Sequence, residues 1–228
     1  MNIIKSLVPE SKWDLKCPYI MVPEFFVIHN TASDAPAKNE ITYMKNNNLQ
    51  KSFHFAVDDK EVRQGIPLDR NAFHAGDGAK GAGNRKGIGV EICYSKSGGI
   101  RFEKAEERAA EFVAERLIEF GWGIDRVKKH QDFSGKYCPH RTLDLGWNRF
   151  LKKVELYMDL LKRVEALEKK THKFIYAWVD DNMPEWAKPT VTKLMDKGYL
   201  KGDEEGKLNL DENMLRMLVI NDRAGLYD

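Results

Sequence analysis

The 228-residue sequence has only three cysteines, and no two of them form a CxxC pair. An odd number of cysteines without such spacing argues against a disulfide framework. For Cys17 and Cys93 the simplest interpretation is burial as small hydrophobic side chains. Cys138 needs a separate explanation because of its neighbours.

Long hydrophobic runs are also absent. The longest extend over a few residues, such as FFVI at 25–28, so the sequence predicts no membrane insertion. The opening residues MNIIKSLVPESKW lack the apolar segment and the small-residue cleavage site of a secretory signal. We therefore expect synthesis in the cytoplasm without a signal peptide.

The chain has no strong excess of one charge, with 37 basic and 35 acidic residues. No basic run is interleaved with aromatic residues, so the sequence does not indicate binding to nucleic acid. The hydrophobic content of 42% and the charged content of 32% are typical of a globular protein. The length suits one full-sized domain and a smaller one.

Strand-like and helix-like patterns alternate along the first 150 residues, which indicates an α/β fold. FFVIHN is typical of a strand buried on both faces, and GIGVEICYS alternates between two faces. Residues 103–120 show helical spacing that ends at Gly121, and residues 34–49 predict a weaker helix. The Gly-rich loop at 75–89 is either a surface connection or, as we predict, a wall or lid of a groove.

The remaining sequence predicts helices. We place the catalytic-type domain at 1–158, a linker helix and connector at 159–182, and a small helical module at 183–228. His172 lies in the connector without a functional pattern. In the module, a helix lined by Trp186 is followed by a last helix that Asp211 caps. Because about 40 residues make a marginal core, docking or self-association of the module is expected.

The stretch HQDFSGKYCPHR at 130–141 combines two histidines, a lysine and a cysteine. His130 and Cys138 lie near its two ends, and His29 stands at the end of the buried strand FFVI. Two imidazoles and one thiolate suit Zn²⁺ and leave a fourth position for water, as in catalytic zinc sites. The three residues are therefore candidate metal ligands.

Two charged residues strengthen this interpretation. Glu91 lies within an otherwise apolar strand, so its carboxylate is expected in a cleft or in a salt bridge. Lys136 precedes Cys138 by two residues, although an exposed loop position would also explain it. A metal, a carboxylate and an ammonium group are the parts that metal-assisted amide hydrolysis requires.

The segments FFVIHNT, SFHFAVDD, NAFHAGDG, GNRKGIGVEICYS and HQDFSGKYCPHR occur in this order. Together they resemble the zinc-dependent N-acetylmuramoyl-L-alanine amidases, in the branch that includes phage endolysins, autolysins and peptidoglycan recognition proteins. The resemblance covers about residues 1–158. It implies a central mixed β-sheet flanked by helices, with one Zn²⁺ at the floor of a peptidoglycan groove.

The resemblance also implies roles for single residues. His29, His130 and Cys138 match the zinc ligands of the family, Glu91 matches its catalytic acid, and Lys136 matches its lysine before the cysteine ligand. The implied reaction separates the lactyl group of N-acetylmuramic acid from L-alanine of the stem peptide. Relatives that only bind peptidoglycan typically lack the cysteine, so a non-catalytic recognition module is the less favoured alternative.

Four further residues are predicted to contact substrate or to support the metal ligands from behind. Asn30 and Thr31 follow His29 directly, and His54 and His74 lie in the family segments. For His54 and His74 a purely structural hydrogen bond is the alternative. His140, after Pro139, is predicted to be structural.

The segment WAKPTVTKLMDKGYLKGDEEGKLNL looks like the first half of an S-layer-homology unit. It departs from that pattern because it occurs once and because the last helix lacks the usual charged signature. We expect it to bind a secondary wall polymer, with oligomerisation or stabilisation as alternatives. An enzyme so anchored would act on the cell wall after release, whereas a cytoplasmic muropeptide-recycling amidase would need no such module.

Overall fold

The computed structural model describes residues 1–171 and 174–228, so that His172 of the predicted connector lies outside the described residues. The chain divides into two compact units, Met1–Lys162 and Arg163–Asp228. No helix within the described residues combines the length and the apolar character needed to cross a membrane.

The first unit contains a six-stranded sheet. Its strands are β1 (Ile3–Lys5), β2 (Phe25–Asn30), β3 (Phe55–Val57), β4 (Val62–Gln64), β5 (Gly87–Ile92) and β6 (Val127–Lys129). The spatial order is β1-β4-β3-β5-β2-β6. All neighbouring strands run parallel except the β3–β4 pair, which is antiparallel. This arrangement confirms the predicted mixed sheet.

Seven α-helices accompany this sheet in the part of the chain that the structure describes. They are α1 (Trp13–Lys16), α2 (Ala37–Asn46), α3 (Ala82–Lys86), α4 (Gly99–Phe120), α5 (Gln131–Ser134), α6 (His140–Asp144) and α7 (Trp147–Thr171). The predicted helix over 34–49 is shorter than expected because Pro36 and Asn47 at its two ends have extended backbones. Gly121 ends α4 as predicted, in a left-handed conformation with a φ of 67° that favours glycine.

The core of the first unit lies between the sheet and helices α2 and α4. Strand β2 contributes Phe26, Val27 and Ile28, which are fully buried, as a strand covered on both faces requires. The ring of Phe55 on β3 lies 4.8 Å from that of Phe112 on α4, measured between centroids. Burying an aromatic side chain of this kind contributes roughly 1.5–3 kcal/mol. The sheet is therefore a rigid support for residues at its strand ends.

The second unit has its own small core and is not purely helical. Strands β7 (Ile175–Tyr176) and β8 (Leu210–Asp211) pair antiparallel, beside helices α8 (Lys188–Asp196) and α9 (Glu212–Arg223). The Asp211 side chain accepts a hydrogen bond of 2.9 Å from the Met214 amide, which confirms the predicted cap. The prediction that Trp186 lines α8 is wrong. Pro189 at the start of α8 favours a helix that begins after Trp186, whose side chain is 39% exposed.

The pairing of α4 with α7 in the first unit gives a test of stability. Glu106 is 1% exposed, and its two carboxylate oxygens accept hydrogen bonds of 2.8 and 2.6 Å from Arg149. We expect Glu106→Ala to lower the free energy of unfolding by about 3 kcal/mol. The substitution leaves a cavity, and Arg149 loses the carboxylate that it binds. Urea denaturation measures this loss. Glu103→Ala, at an exposed position of the same helix, should change it by less than about 0.5 kcal/mol.

Candidate active site

The register of β2 against β5 places two polar residues side by side at the ends of the strands. His29 is paired with Glu91 across these parallel strands. Residues paired in register point to the same face of a sheet. The imidazole and the carboxylate therefore reach the same cleft, although 61 sequence positions separate Glu91 from the end of β2.

His29, His130 and Cys138 converge in this cleft. All three are buried, and their potential ligand atoms lie within 4.8 Å of one another. His29 Nδ1 is 2.9 Å from His130 Nδ1 and 3.9 Å from Cys138 Sγ. Ligand bonds of about 2.1 Å to nitrogen and 2.3 Å to sulfur give tetrahedral ligand separations of roughly 3.4 and 3.6 Å. The triad thus has the composition and nearly the spacing of a divalent metal site.

Burial sets the protonation of the triad. It lowers the pKa of His29 well below its usual value and that of His130 to about 4, so both rings are neutral at pH 7. Burial also raises the pKa of the Cys138 thiol to about 11. A bound divalent cation would favour the thiolate over the thiol. The neutral imidazoles already suit such a cation.

Asn30 fixes the segment that carries Cys138. Its side-chain oxygen accepts hydrogen bonds of 2.9 Å from the Arg141 amide and 3.2 Å from the Thr142 amide, at the start of α6. The backbone amides of Asn30 and His140 hydrogen-bond the sulfur of Cys138, which lowers its pKa against the effect of burial. The residue after one candidate ligand therefore positions another.

Glu91 lies in the groove beside the triad. Burial, and after it the nearby Glu40, raises the pKa of its carboxyl group to about 8, whereas Lys136 lowers it. One of its two carboxylate oxygens, Oε2, is buried without a hydrogen-bond partner within the described residues. The salt bridge considered as an alternative for Glu91 is not formed there. An unpaired buried carboxyl oxygen is costly, so a substrate or water is expected to contact it.

Lys136 lies on the rim of the groove. It follows the short helix α5, and its carbonyl accepts a hydrogen bond of 2.7 Å from the Cys138 amide in a tight turn. The side chain is exposed and lines a groove of about 650 Å³ together with His29 and Glu91. Its positive charge acts on Glu91 and on the candidate ligands.

The remaining predicted residues occupy different positions. Thr31 lines the groove, and its amide donates a 3.1 Å hydrogen bond to the Ile92 carbonyl. His74 also lines the groove and contacts His29, with a distance of 2.9 Å between His74 Nδ1 and His29 Nε2. His54 is fully buried behind His74, and both of its ring nitrogens contact backbone groups. His140 contacts the Ser95 carbonyl at 3.2 Å.

Two residues of the groove were not predicted from the sequence. Glu40 on α2 hydrogen-bonds Ser33 and lies close enough to Glu91 to raise its pKa. Asn84 is buried and hydrogen-bonds the backbone of the Gly-rich loop. An acidic residue beside Ile41 on the buried side of a predicted helix was the available signal for Glu40. Asn84 had none, because a polar residue is ordinary in a loop.

The family description of N-acetylmuramoyl-L-alanine amidases matches residues 20–141, which include every candidate ligand and Glu91. The chain belongs to this family. CwlA, an N-acetylmuramoyl-L-alanine amidase of Bacillus subtilis (strain 168), is 64% identical over 146 residues. That match covers 64% of this chain and 54% of CwlA. The chain thus spans about half the length of the curated relatives CwlA and XlyB of Bacillus subtilis, which it matches.

The first unit of the chain is also similar to solved structures. PlyL is 53% identical with a TM-score of 0.66, and the match covers 68% of this chain and 97% of PlyL. A structure described as a mutant endolysin from Bacillus subtilis is 37% identical with a TM-score of 0.62. It matches 68% of this chain and 99% of its own length. These matches confirm the predicted fold class.

The raised pKa of Glu91 predicts a pH-dependent effect on stability. In metal-free protein the folded state holds the Glu91 proton up to about pH 8, whereas the unfolded state releases it near pH 4.5. The wild type therefore loses stability as the pH rises between these values. Glu91→Gln removes the titration, so its melting temperature should exceed that of the wild type at pH 8 more than at pH 4. Thermal unfolding in a chelator checks this, and an equal difference at both pH values would contradict it.

Proposed function

We propose that this chain is a peptidoglycan hydrolase of the endolysin type. It cleaves the amide bond between the lactyl group of N-acetylmuramic acid and L-alanine of the stem peptide. The observation that carries the proposal is the convergence of the buried His29, His130 and Cys138 with Glu91 in one open groove. Membership of the amidase family supports the choice of this bond.

The proposed cofactor is a single zinc ion held by His29, His130 and Cys138. Two nitrogens and one sulfur are ligands that zinc prefers, and three protein ligands leave a position for water or substrate. When bound, zinc supplies a Lewis acid that activates water and polarises the carbonyl group. The open side of the triad toward the groove supports this use rather than a closed structural site.

Glu91 is the proposed general base and acid. Its carboxylate accepts a proton from the attacking water and returns it to the departing amino group of L-alanine. A group used in this way works best when its pKa lies near the working pH. The opposing effects of burial and of Lys136 on the Glu91 pKa support such tuning.

Lys136 is the proposed stabiliser of the developing oxyanion. Lys136 lies in a turn two residues before Cys138 and lines the same groove. Its ammonium group can therefore approach the oxygen of the scissile carbonyl. A positive charge that is already in place stabilises negative charge formed in the transition state. Thr31 borders the groove and is proposed to contact the substrate.

The second unit is proposed to hold the enzyme on the cell wall through a secondary wall polymer, with self-association as the other candidate role. Action on the wall after release from the cytoplasm completes the proposal. The endolysin among the solved relatives supports this location for the chain.

The proposed reaction predicts a loss of turnover in Glu91→Gln. Because the amide cannot accept the proton, release of L-alanine amino termini from purified peptidoglycan should fall at least about 100-fold. The zinc content should be retained, and Glu103→Gln should cleave at the wild-type rate. New reducing sugars, new amino termini of another residue, or wild-type cleavage after zinc chelation would each contradict the amidase proposal. Binding to peptidoglycan without cleavage would favour a recognition module.

The proposed role of the second unit predicts the effect of deleting residues 173–228. The shortened protein should still release L-alanine amino termini from soluble muropeptides, because the triad and Glu91 lie in the first unit. Its sedimentation with purified walls should decrease. Unchanged sedimentation would rule out wall anchoring. A decrease in the number of chains per particle in solution after the deletion would favour oligomerisation.

A further inference from the structure

His74 connects the candidate metal site to the backbone of β5. Its Nε2 atom is 3.1 Å from the carbonyl oxygen of Gly87, and its Nδ1 atom is 2.9 Å from His29 Nε2. A carbonyl oxygen can only accept a hydrogen bond, so His74 carries its proton on Nε2. A neutral imidazole with its proton on Nε2 has its lone pair on Nδ1, so the Nδ1 atom of His74 is an acceptor.

The acceptor at His74 determines the tautomer of His29. His29 Nε2 must donate its proton to His74 Nδ1, and the lone pair of His29 is then on Nδ1. This Nδ1 atom faces both His130 and Cys138. The nitrogen that a metal would bind is thus the one left without a proton.

The second imidazole has a comparable partner. The ring of His130 hydrogen-bonds the backbone carbonyl of Ala75, the residue after His74. Because His130 Nδ1 faces His29, the hydrogen bond to Ala75 uses Nε2. Two Nδ1 lone pairs then face each other at 2.9 Å, an arrangement that a cation between the rings would stabilise.

We propose that His74 is a positioning residue of the metal site. It fixes the tautomer and orientation of His29 through the contacts from Gly87 to His74 and from His74 to His29. This inference rests on the proposed metal site and assigns the Gly-rich loop a role besides that of a groove wall. His74, directly before the loop, and Ala75, its first residue, supply the hydrogen-bond partners of the two candidate imidazole ligands.

Hydrogen bonds from nearby side chains hold the backbone of His74 and of the Gly-rich loop in place. Asn84 Oδ1 accepts hydrogen bonds of 2.7 Å from the His74 amide and 2.8 Å from the Ala75 amide. Asp77 in turn accepts a hydrogen bond of 2.7 Å from the Gly83 amide. The backbone at His74 and Ala75, which contact the two candidate imidazole ligands, is therefore fixed by the Asn84 side chain.

The absence of a side chain at Gly89 leaves space for the His74 ring against β5. A Cβ atom at position 89 would lie 2.8 Å from Cγ and Cδ2 of His74, which is closer than carbon atoms approach without displacement. Glycine is otherwise unfavourable within a buried strand. The close approach of the His74 ring explains why this position has no side chain.

A measurement on the wild type tests the inference without any substitution. Nitrogen-15 chemical shifts of the histidine rings in zinc-free protein report which nitrogen carries each proton. We expect His29 and His74 both to be protonated on Nε2 and unprotonated on Nδ1. A proton on Nδ1 of either ring would overturn the proposal.

Variants then test the consequence for metal binding, with zinc affinity measured by competition with a chelator. His74→Leu should weaken binding 10- to 100-fold, because it removes the acceptor for His29. His74→Asn should recover most of the affinity, because its side-chain oxygen can replace Nδ1. Gly89→Ala should weaken binding by displacing the ring.

His54→Leu is the matched control. The His54 ring is fully buried, and both of its nitrogens are hydrogen-bonded. Its partners are the Gly89 amide and the Arg70 carbonyl, and neither is a candidate metal ligand. Its zinc affinity should stay within about threefold of the wild type. Wild-type affinity in His74→Leu, or an equal loss in His54→Leu, would overturn the proposal. No substrate is used, so the result does not depend on whether the chain is an amidase.

Discussion

The in-register pairing of β2 with β5 is the constraint on which the site depends. It brings His29 and Glu91 next to each other on one face of a sheet whose strands are buried among apolar residues. A shift of one residue would turn one of the two side chains to the opposite face. The rigid core below the strand ends thus fixes the distance between a candidate metal ligand and the proposed base.

The site combines groups that are each costly to bury. Two neutral imidazoles, a protonated thiol and a carboxyl group line the same groove, and one oxygen of that carboxyl group has no hydrogen-bond partner among the described residues. Such a cluster lowers the stability of the metal-free fold unless a ligand satisfies it. The apolar contacts of α2 and α4 with the sheet offset this cost, and a bound metal would add its own binding free energy to folding.

Much of this arrangement could be predicted from the sequence, because it depends on local patterns. The apolar run before His29 and the alternation around Glu91 predicted two strands, and the family segments predicted that the strands form a mixed sheet. The proximity of Glu40 to Glu91 and the choice of His29 as the partner of His74 could not be predicted. They depend on how α2 and the Gly-rich loop pack against the sheet, and no spacing in the sequence encodes that packing. Trp186 was wrongly predicted to lie in α8. Helical periodicity does not show the first residue of a helix, and here Pro189 lies in the first turn.

The raised pKa of Cys138 has a consequence for how the triad would take up a divalent metal. Because the thiol is protonated and the imidazoles are neutral at neutral pH, thiolate coordination must release a proton to solvent. Metal loading is then an acid–base reaction, and alkaline conditions favour it by about tenfold per pH unit. The occupancy of the triad by a divalent metal would therefore depend on the acidity around the protein as well as on the metal concentration.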